Sequence, residues 1–302
     1  MWNEKDHEGT ALDWESFEAK VADIDRETQE LKRTRGLPVS EPLYRGQPDA
    51  RWHLETTFDR QRRAMTLDKY LTIMERTQPR IDAVPGKRWS GLGKEISALR
   101  RNGLSSITRF PTEDADTQTI LSFMVYLRQH GFPSPLLDWT SDPHRAAFFA
   151  FRSIEEGTQE VAIYTFREWA GSMADGPDEE DAPLAMTLGP DIGNTSRRHS
   201  KQKAQYTWCV KKSSSNVSLD SYIFADHEDA ISLPGFRMEC DRCIETHRAG
   251  NVVDKYTIPA SERRKALASL AQRDINKCAL FGHSADNVIE DLWNELVIDS
   301  AV

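Results

Sequence analysis

One stretch, residues 129–151, constrains the fold of this chain more than any other. It reads Gln-His-Gly-Phe-Pro-Ser-Pro-Leu-Leu-Asp-Trp-Thr-Ser-Asp-Pro-His-Arg-Ala-Ala-Phe-Phe-Ala-Phe. Its two early prolines force an extended entry, because proline fixes φ and disfavours helix in the residue before it. Ser141 or Asp142 can then cap a helix that has Pro143 at its first position and buries small and aromatic residues. The stretch therefore predicts a strand, a polar turn and a core helix in immediate succession.

The polar turn at the end of this strand has two interpretations. Asp138, Trp139, Thr140 and Ser141 put hydroxyls, a carboxylate and a large ring close together. They can form a capped turn with a purely structural role, or a strand-end site whose ligand lies above a helix N-terminus. Local chemistry alone favours the structural interpretation.

Composition excludes several classes of protein. No apolar run approaches the roughly 18 residues of a membrane span, and the start has no signal-peptide pattern. The net charge of −9 argues against broad binding to a phosphate backbone, which needs a basic face. Four cysteines in 302 residues do not make a disulfide scaffold. We expect a cytoplasmic protein with reduced thiols and no membrane partner; the oligomeric state stays open.

Hydrophobic periodicity predicts a mixture of helices and strands. Helices are expected at 11–34, over most of 67–129 except a loop at 84–93, from 259 to 270 and from 284 to 296. Strands are expected at 43–47, 160–166, 205–210, 220–225 and 251–258, with an acidic loop at 170–196. Because the strands do not alternate regularly with helices, we expect an α+β fold.

The motif Tyr44-Arg45-Gly46-Gln47 places a guanidinium on or beside a strand. The planar fork of arginine suits a phosphate or a carboxylate, and the glycine lets another group approach the backbone. The alternative is an arginine paired with an internal acid, and from these residues alone that is the better interpretation.

These motifs together resemble the FRG domain, a family named for its Phe/Tyr-Arg-Gly motif. The resemblance starts at Tyr44 to Gln47, continues through Trp52-x-Leu54, and takes in the long motif from Gln129 to Ala150. A later arginine, glutamine and aromatic-threonine feature of the family is matched by Arg198, Gln202 and Tyr206-Thr207. The resemblance implies a single FRG-type domain over residues 1–302, with a helical N-terminal segment 11–35, a core 41–258 and C-terminal helices 259–296.

A second, more distant resemblance concerns mechanism. Arg45 on a strand, followed by Thr140-Ser141 leading into an Ala/Phe-rich helix, is similar in order to ADP-ribosyltransferases of the arginine–serine–glutamate type. It implies a small split β-sheet flanked by helices, with NAD as the substrate. Arg45 would hold the pyrophosphate or a ribose, and Trp139 or Tyr206 would stack on nicotinamide. The implied catalytic residues are Arg45, Asp138, Ser141 and Gln202, and the implied NAD-binding residues are Tyr44, Gly46, Gln47, His130, Trp139, Thr140, Arg198 and Tyr206.

The catalytic carboxylate of such a transferase has no clear counterpart. Cleaving the nicotinamide–ribose bond creates an oxocarbenium-like centre, which a positioned carboxylate stabilises. The matching position here is Gln202, an amide. Asp138 is the first candidate because the motif places it beside Thr140 and Ser141, although it can also brace the turn. Glu160 and Glu239 are candidates by residue type only.

The remaining motifs say less about function. Cys240, Cys243 and His247 are of metal-ligand type, but a closed zinc site needs a fourth ligand that no nearby residue supplies, so we expect no metal. The absence of a P-loop, a dinucleotide fingerprint and a nucleophile elbow disfavours a kinase, a Rossmann dehydrogenase and a serine hydrolase.

The leading functional hypothesis is therefore NAD-dependent ADP-ribosyl transfer or NAD cleavage, as in a bacterial toxin or defence effector. The acceptor, protein or nucleic acid, is not predicted. The main alternative is a nucleotide- or nucleic-acid-binding module without chemistry on NAD, and a third is an interaction domain with a decayed pocket.

Overall fold

A mostly antiparallel sheet of eight strands organises the molecule. The structure is a computed structural model that describes residues 9–35, 40–61, 65–84, 88–104, 118–167, 184–188, 201–214, 218–231, 252–289 and 291–292. The strands are β1 Thr10–Ala11, β2 Leu43–Gln47, β3 Leu136–Thr140, β4 Glu160–Arg167, β5 Leu184–Leu188, β6 Ala204–Lys212, β7 Tyr222–Phe224 and β8 Val252–Pro259. The helices are α1 Trp14–Arg35, α2 Leu67–Asp82, α3 Leu92–Asn102, α4 Gln118–Gln129, α5 Pro143–Arg152, α6 His227–Ile231, α7 Arg263–Gln272 and α8 Lys277–Phe281.

The strand that carries Arg45 lies in the middle of the sheet. The strand order is β1-β8-β4-β2-β3-β6-β5, with β7 also on β6. Every residue of β2 pairs with β4, whereas β2 pairs with β3 only at Tyr44 and Thr140. Beyond that pair the two strands diverge, so the backbone groups of β3 that face β2 need other partners.

The two faces of the sheet are covered differently. Side chains alternate along a strand, so Tyr44 and Gly46 share one face of β2, and Arg45 and Gln47 share the other. Two helical clusters cover the first face, which we call the helix face: α1, α5 and α7 pack around Tyr44, and α2, α3 and α4 pack around Leu136 on β3. Segment 50–54 and residues of α6 pack on the second face, which we call the loop face.

Helix α5 begins where the sequence predicts. The Asp142 side chain accepts hydrogen bonds from the backbone N–H groups of His144 and Arg145 at 3.1 and 3.3 Å, and Pro143 occupies the first helical position. This geometry satisfies N–H groups that a helix start otherwise leaves without partners. The predicted succession of strand, polar turn and core helix is confirmed.

The α+β expectation agrees with this mixed, largely antiparallel architecture. The prediction of a continuous loop at 170–196 is wrong at Leu184–Leu188, which forms β5 against β6. Sequence reasoning missed it because acidic residues, Gly and Pro surround a very short apolar stretch, and pairing with a neighbour decides its structure. It also missed β1 and α8, and it started the helix after β8 too early: a 3-10 turn at Ala260–Glu262 precedes α7.

Within the described ranges, none of the helices has the length and apolar character of a membrane span.

Candidate functional site

Arg45 lies at the point where β2 and β3 diverge. Its Nη1 donates a hydrogen bond of 2.7 Å to the backbone carbonyl of Asp138, a group that the lost strand pairing leaves available. Its Nε is buried and has no hydrogen-bond partner among the described residues. Burial lowers the pKa of Arg45 to about 10, although the Asp138 carboxylate opposes this shift. Among the described residues, the Arg45 guanidinium therefore has one hydrogen-bond partner, and that partner is a neutral carbonyl.

The carboxylate of Asp138 is engaged elsewhere. It accepts a hydrogen bond of 2.5 Å from Nε of Arg128 on Oδ1, and Nη2 of the same guanidinium contacts Oδ2. Burial lowers the pKa of Arg128, but the Asp138 carboxylate more than offsets it and the net shift is upward. Arg128 also donates to Oγ1 of Thr57 at 3.3 Å. A bidentate pair of this kind fixes both groups and neutralises the carboxylate.

The rest of the polar turn joins β3 to β6. Trp139 is 3% exposed, and its indole N–H donates to Oγ1 of Thr207 at 2.8 Å. Oγ1 of Thr140 donates to the backbone carbonyl of Gln202 at 2.8 Å. Ser141 is exposed, and its backbone N–H donates to the carbonyl of Lys203 at 3.2 Å. The ring of Trp139 is therefore core, whereas Ser141 is accessible.

The remaining candidates lie on different sides of the sheet. Tyr44 is buried on the helix face, and burial raises its pKa. Tyr206 pairs with Asp138 across β3 and β6, which places it on the helix face too, and burial raises its pKa as well. His130 is exposed just after α4, with its ring 4.4 Å from that of Tyr126. Arg198 lies outside the described residues.

Gly46 and Gln47 complete the motif on β2. A Cβ at Gly46 would lie 1.9 Å from the carbonyl oxygen of Ala146, so α5 packs directly on the backbone of β2. The buried Gln47 donates from Nε2 to the carbonyl of His53 at 3.1 Å, and its Oε1 has no partner among the described residues. The structure therefore brings Arg45, Gln47 and Trp139 to the loop face and leaves Tyr44, Asp138 and Thr140 on the helix face.

A histidine–glutamate pair that no sequence motif indicates lies on the loop face. Nδ1 of His53 lies 3.0 Å from Oε2 of Glu228, and the backbone N–H of Leu54 donates to Oε1 at 2.9 Å. The pKa of His53 is raised, chiefly by its hydrogen bond to Glu228. The two residues are 175 positions apart, so no local pattern could have connected them.

A second missed histidine, His227, is buried beneath the same face. It is 1% exposed, and its Nε2 lies 3.3 Å from the carbonyl oxygen of Thr207. Its Nδ1 is without a partner among the described residues. Burial lowers its pKa to about 4, which keeps the ring neutral under ordinary conditions.

The carboxylates that sequence analysis named beside Asp138 do not join Arg45. Glu160 is exposed at the first position of β4, opposite Pro259. Glu239 lies outside the described residues, as do Cys240, Cys243 and His247. Within the described ranges no group of three His, Cys, Asp or Glu side chains could hold a metal ion.

A small cleft of about 70 Å³ lies away from Arg45, between α1 and the sheet. Its lining includes Lys20, Glu27, Arg167, Asp254 and Tyr256. Since Arg45, Gln47 and the His53–Glu228 pair do not border it, this cleft is not part of the loop-face site.

Comparison with known proteins gives one finding. Neither the curated proteins nor the solved structures contain a match to the chain. A family model does match: residues 40–159 correspond to the FRG domain. This range holds β2 with Arg45, the helical region that follows, β3 and α5. The match confirms the resemblance drawn from the Tyr-Arg-Gly-Gln motif and the long central motif, over residues 40–159 of the chain.

Proposed function

We propose that this FRG domain binds NAD through its pyrophosphate at Arg45 and cleaves the nicotinamide–ribose bond, with ADP-ribosyl transfer as the leading reaction. The observation that carries the proposal is the state of Arg45. Among the described residues, its guanidinium is held by a carbonyl, its buried Nε–H has no partner, and no carboxylate lies within ion-pair distance of it.

A buried cation in this state favours an anionic ligand. Burying a charge without a counter-ion is costly, and the lowered pKa of Arg45 reflects that cost. A phosphate or pyrophosphate would supply acceptor oxygens to the guanidinium fork and balance the charge. The cost of burial would thereby be recovered on binding.

The arrangement of strands supports the analogy with ADP-ribosyltransferases. Arg45 lies on β2, and Thr140 ends the neighbouring β3, which pairs with β2 at a single position before the two strands diverge. An opening between the arginine strand and the threonine–serine strand fits the split sheet that the resemblance implies.

A second candidate function is nucleotide binding without NAD chemistry. It is favoured by the state of the residues that could supply a catalytic carboxylate. Asp138 is neutralised by Arg128, Glu160 is exposed at the edge of its strand, and Gln202 is an amide. None of these three presents an available carboxylate beside Arg45. Under this alternative the domain would bind a nucleotide phosphate at Arg45 and release it unchanged.

Nicotinamide release from NAD by the purified chain distinguishes the two functions. The proposal predicts turnover by the wild type, and binding of ADP-ribose without turnover would favour the second candidate. Replacement of Arg45 by Lys should weaken ADP-ribose binding by about 10- to 100-fold, since the bidentate fork is lost. The melting temperature should change little.

The matched control is Arg26→Lys on the exposed surface of α1, where the guanidinium pairs with Asp23. It should change neither binding nor stability. An Arg45→Lys variant that binds ADP-ribose as tightly as the wild type would contradict the phosphate-binding role of Arg45.

A further inference from the structure

We propose that His53, oriented by Glu228, is the residue that accepts the proton of the attacking nucleophile in the site at Arg45. This inference rests on the proposed NAD chemistry and adds to it a proton acceptor that neither the motifs nor the family match assigns. The proton acceptor is then a histidine–carboxylate pair and not a lone carboxylate.

The position of His53 is set by the same strand that carries Arg45. Gln47, two positions along β2 on the loop face, donates from Nε2 to the carbonyl of His53 at 3.1 Å. Glu228 holds the segment from the other side, through Nδ1 of His53 and the backbone N–H of Leu54. The backbone of His53 is thus tied to the central strand, and its imidazole is tied to Glu228 on α6.

One phenol links this pair to Arg45. Tyr164 is the cross-strand neighbour of Arg45, and its hydroxyl donates a hydrogen bond of 3.4 Å to the carbonyl of Trp52, the residue before His53. Burial raises the pKa of Tyr164, Glu228 raises it further and Arg45 lowers it. The charges of Glu228 and Arg45 therefore both act on the hydroxyl of Tyr164.

Access and charge suit proton transfer. The His53 side chain is 65% exposed, so an acceptor molecule can reach the ring, whereas the Glu228 side chain is only 18% exposed. The charges that raise the pKa of His53 are those of Glu228, Glu55 and Asp226, and all three are acidic. They stabilise the imidazolium, and a ring stabilised in this way is a stronger proton acceptor.

The reaction balances without any further reactant. The bond between ribose C1′ and the nicotinamide nitrogen breaks, and its electron pair leaves with nicotinamide as a neutral product. The oxygen of water or of a hydroxyl acceptor forms the new bond to C1′, and its proton passes to His53. Glu228 keeps the ring in the required orientation and compensates the positive charge that His53 gains.

His144 provides a matched control for His53. Its Nε2 lies 3.1 Å from Oε2 of Glu18, so it is also a histidine–glutamate pair, but it sits between α5 and α1 on the helix face. Replacing it should remove a histidine–glutamate contact of similar length without affecting a reaction on the loop face.

The test is NAD cleavage by three variants of the full chain. His53→Gln should lower kcat about 100-fold, in line with the loss of a general base, with KM for NAD within about twofold because binding is unchanged. Glu228→Gln should lower kcat and shift the acidic limb of its pH profile to lower pH, since the carboxylate no longer stabilises the imidazolium. His144→Gln should keep the wild-type kcat and profile.

A fourth variant separates proton transfer from structure. Imidazole in solution should restore part of the activity of His53→Ala, because the exposed position leaves room for it, and a structural defect would not respond. Full kcat in His53→Gln, or an unshifted pH profile in Glu228→Gln, would overturn the role of the pair while NAD cleavage stood. Absence of nicotinamide release by the wild type would overturn the proposed function and, with it, the catalytic role of His53.

Discussion

Adjacent residues of one short motif do different work because they lie on opposite faces of β2. Arg45 turns to the loop face and donates to the carbonyl of Asp138, where the pairing with β3 has ended. Gly46 turns to the helix face, where the carbonyl of Ala146 would lie 1.9 Å from a Cβ. The glycine is required by close packing, since its φ is not in the left-handed region. The arginine is required for charge and the glycine for space.

Replacing Gly46 by Ala should destabilise the chain by about 3 kcal/mol, because the added methyl group forces β2 and α5 apart. Urea unfolding measures the loss. The matched control is Gly93→Ala in α3, where the nearest atom to a Cβ is 3.9 Å away and the helix should gain up to about 1 kcal/mol. Equal stability of Gly46→Ala and the wild type would show that α5 does not pack on β2 as described.

The buried His227 predicts a pH dependence of stability. Its pKa falls from 6.5 to about 4 on folding, so the unfolded chain binds a proton that the folded chain does not. The contribution of His227 to the free energy of unfolding is present above pH 6.5 and is lost as the pH falls towards 4. The loss is about 2 kcal/mol between pH 7 and pH 5. The His227→Gln variant should lack that part of the loss in urea unfolding at the two pH values. A variant with the same pH dependence as the wild type would contradict the buried neutral ring.

At the scale of elements, the start of α5 joins the two halves of the long central motif. Asp142 accepts from two backbone N–H groups of α5 and also lies 3.1 Å from Nζ of Lys203, just before β6. One carboxylate therefore caps the helix and connects it to the turn that leads into the neighbouring strand.

Replacing Asp142 by Ala should cost about 1 to 2 kcal/mol, since the helix loses its cap. Asp142→Asn keeps a capping oxygen and loses only the half-exposed ion pair with Lys203, so it should cost less than about 1 kcal/mol. Thermal and urea unfolding of the two variants measure how much the cap and the ion pair each contribute to stability. If Asn costs as much as Ala, the ion pair rather than the cap holds the helix.

At the scale of the whole molecule, the FRG match ends where β4 begins. The matched residues 40–159 contain β2 but not β4, with which every residue of β2 pairs. They also exclude α1, which contributes Trp14, Phe17 and Val21 to the cluster around Tyr44. The apolar residues of β2 and α5 in the matched region are thus buried in part by segments outside it.

A fragment of residues 40–159 should therefore fail to unfold cooperatively and should bind a hydrophobic dye, whereas the full chain should show one cooperative transition. A fragment of residues 9–292, which retains α1, β4 and β8, is the control and should behave like the full chain. Cooperative unfolding of the short fragment would show that the matched region folds independently.

Local patterns alone determined a good part of this protein. The prolines, the capping aspartate and the spacing of Ala and Phe predict β3, the turn and α5, because each of these features depends on neighbours in the chain. The Tyr-Arg-Gly-Gln motif identified the strand of Arg45 and the FRG resemblance. Only the tertiary structure decided that Asp138 is bound by Arg128, that Trp139 is core, and that His53 meets Glu228 on the loop face. These contacts depend on which strands become neighbours and on which face each side chain takes, and a long-range pairing of this kind leaves no periodic trace in the sequence.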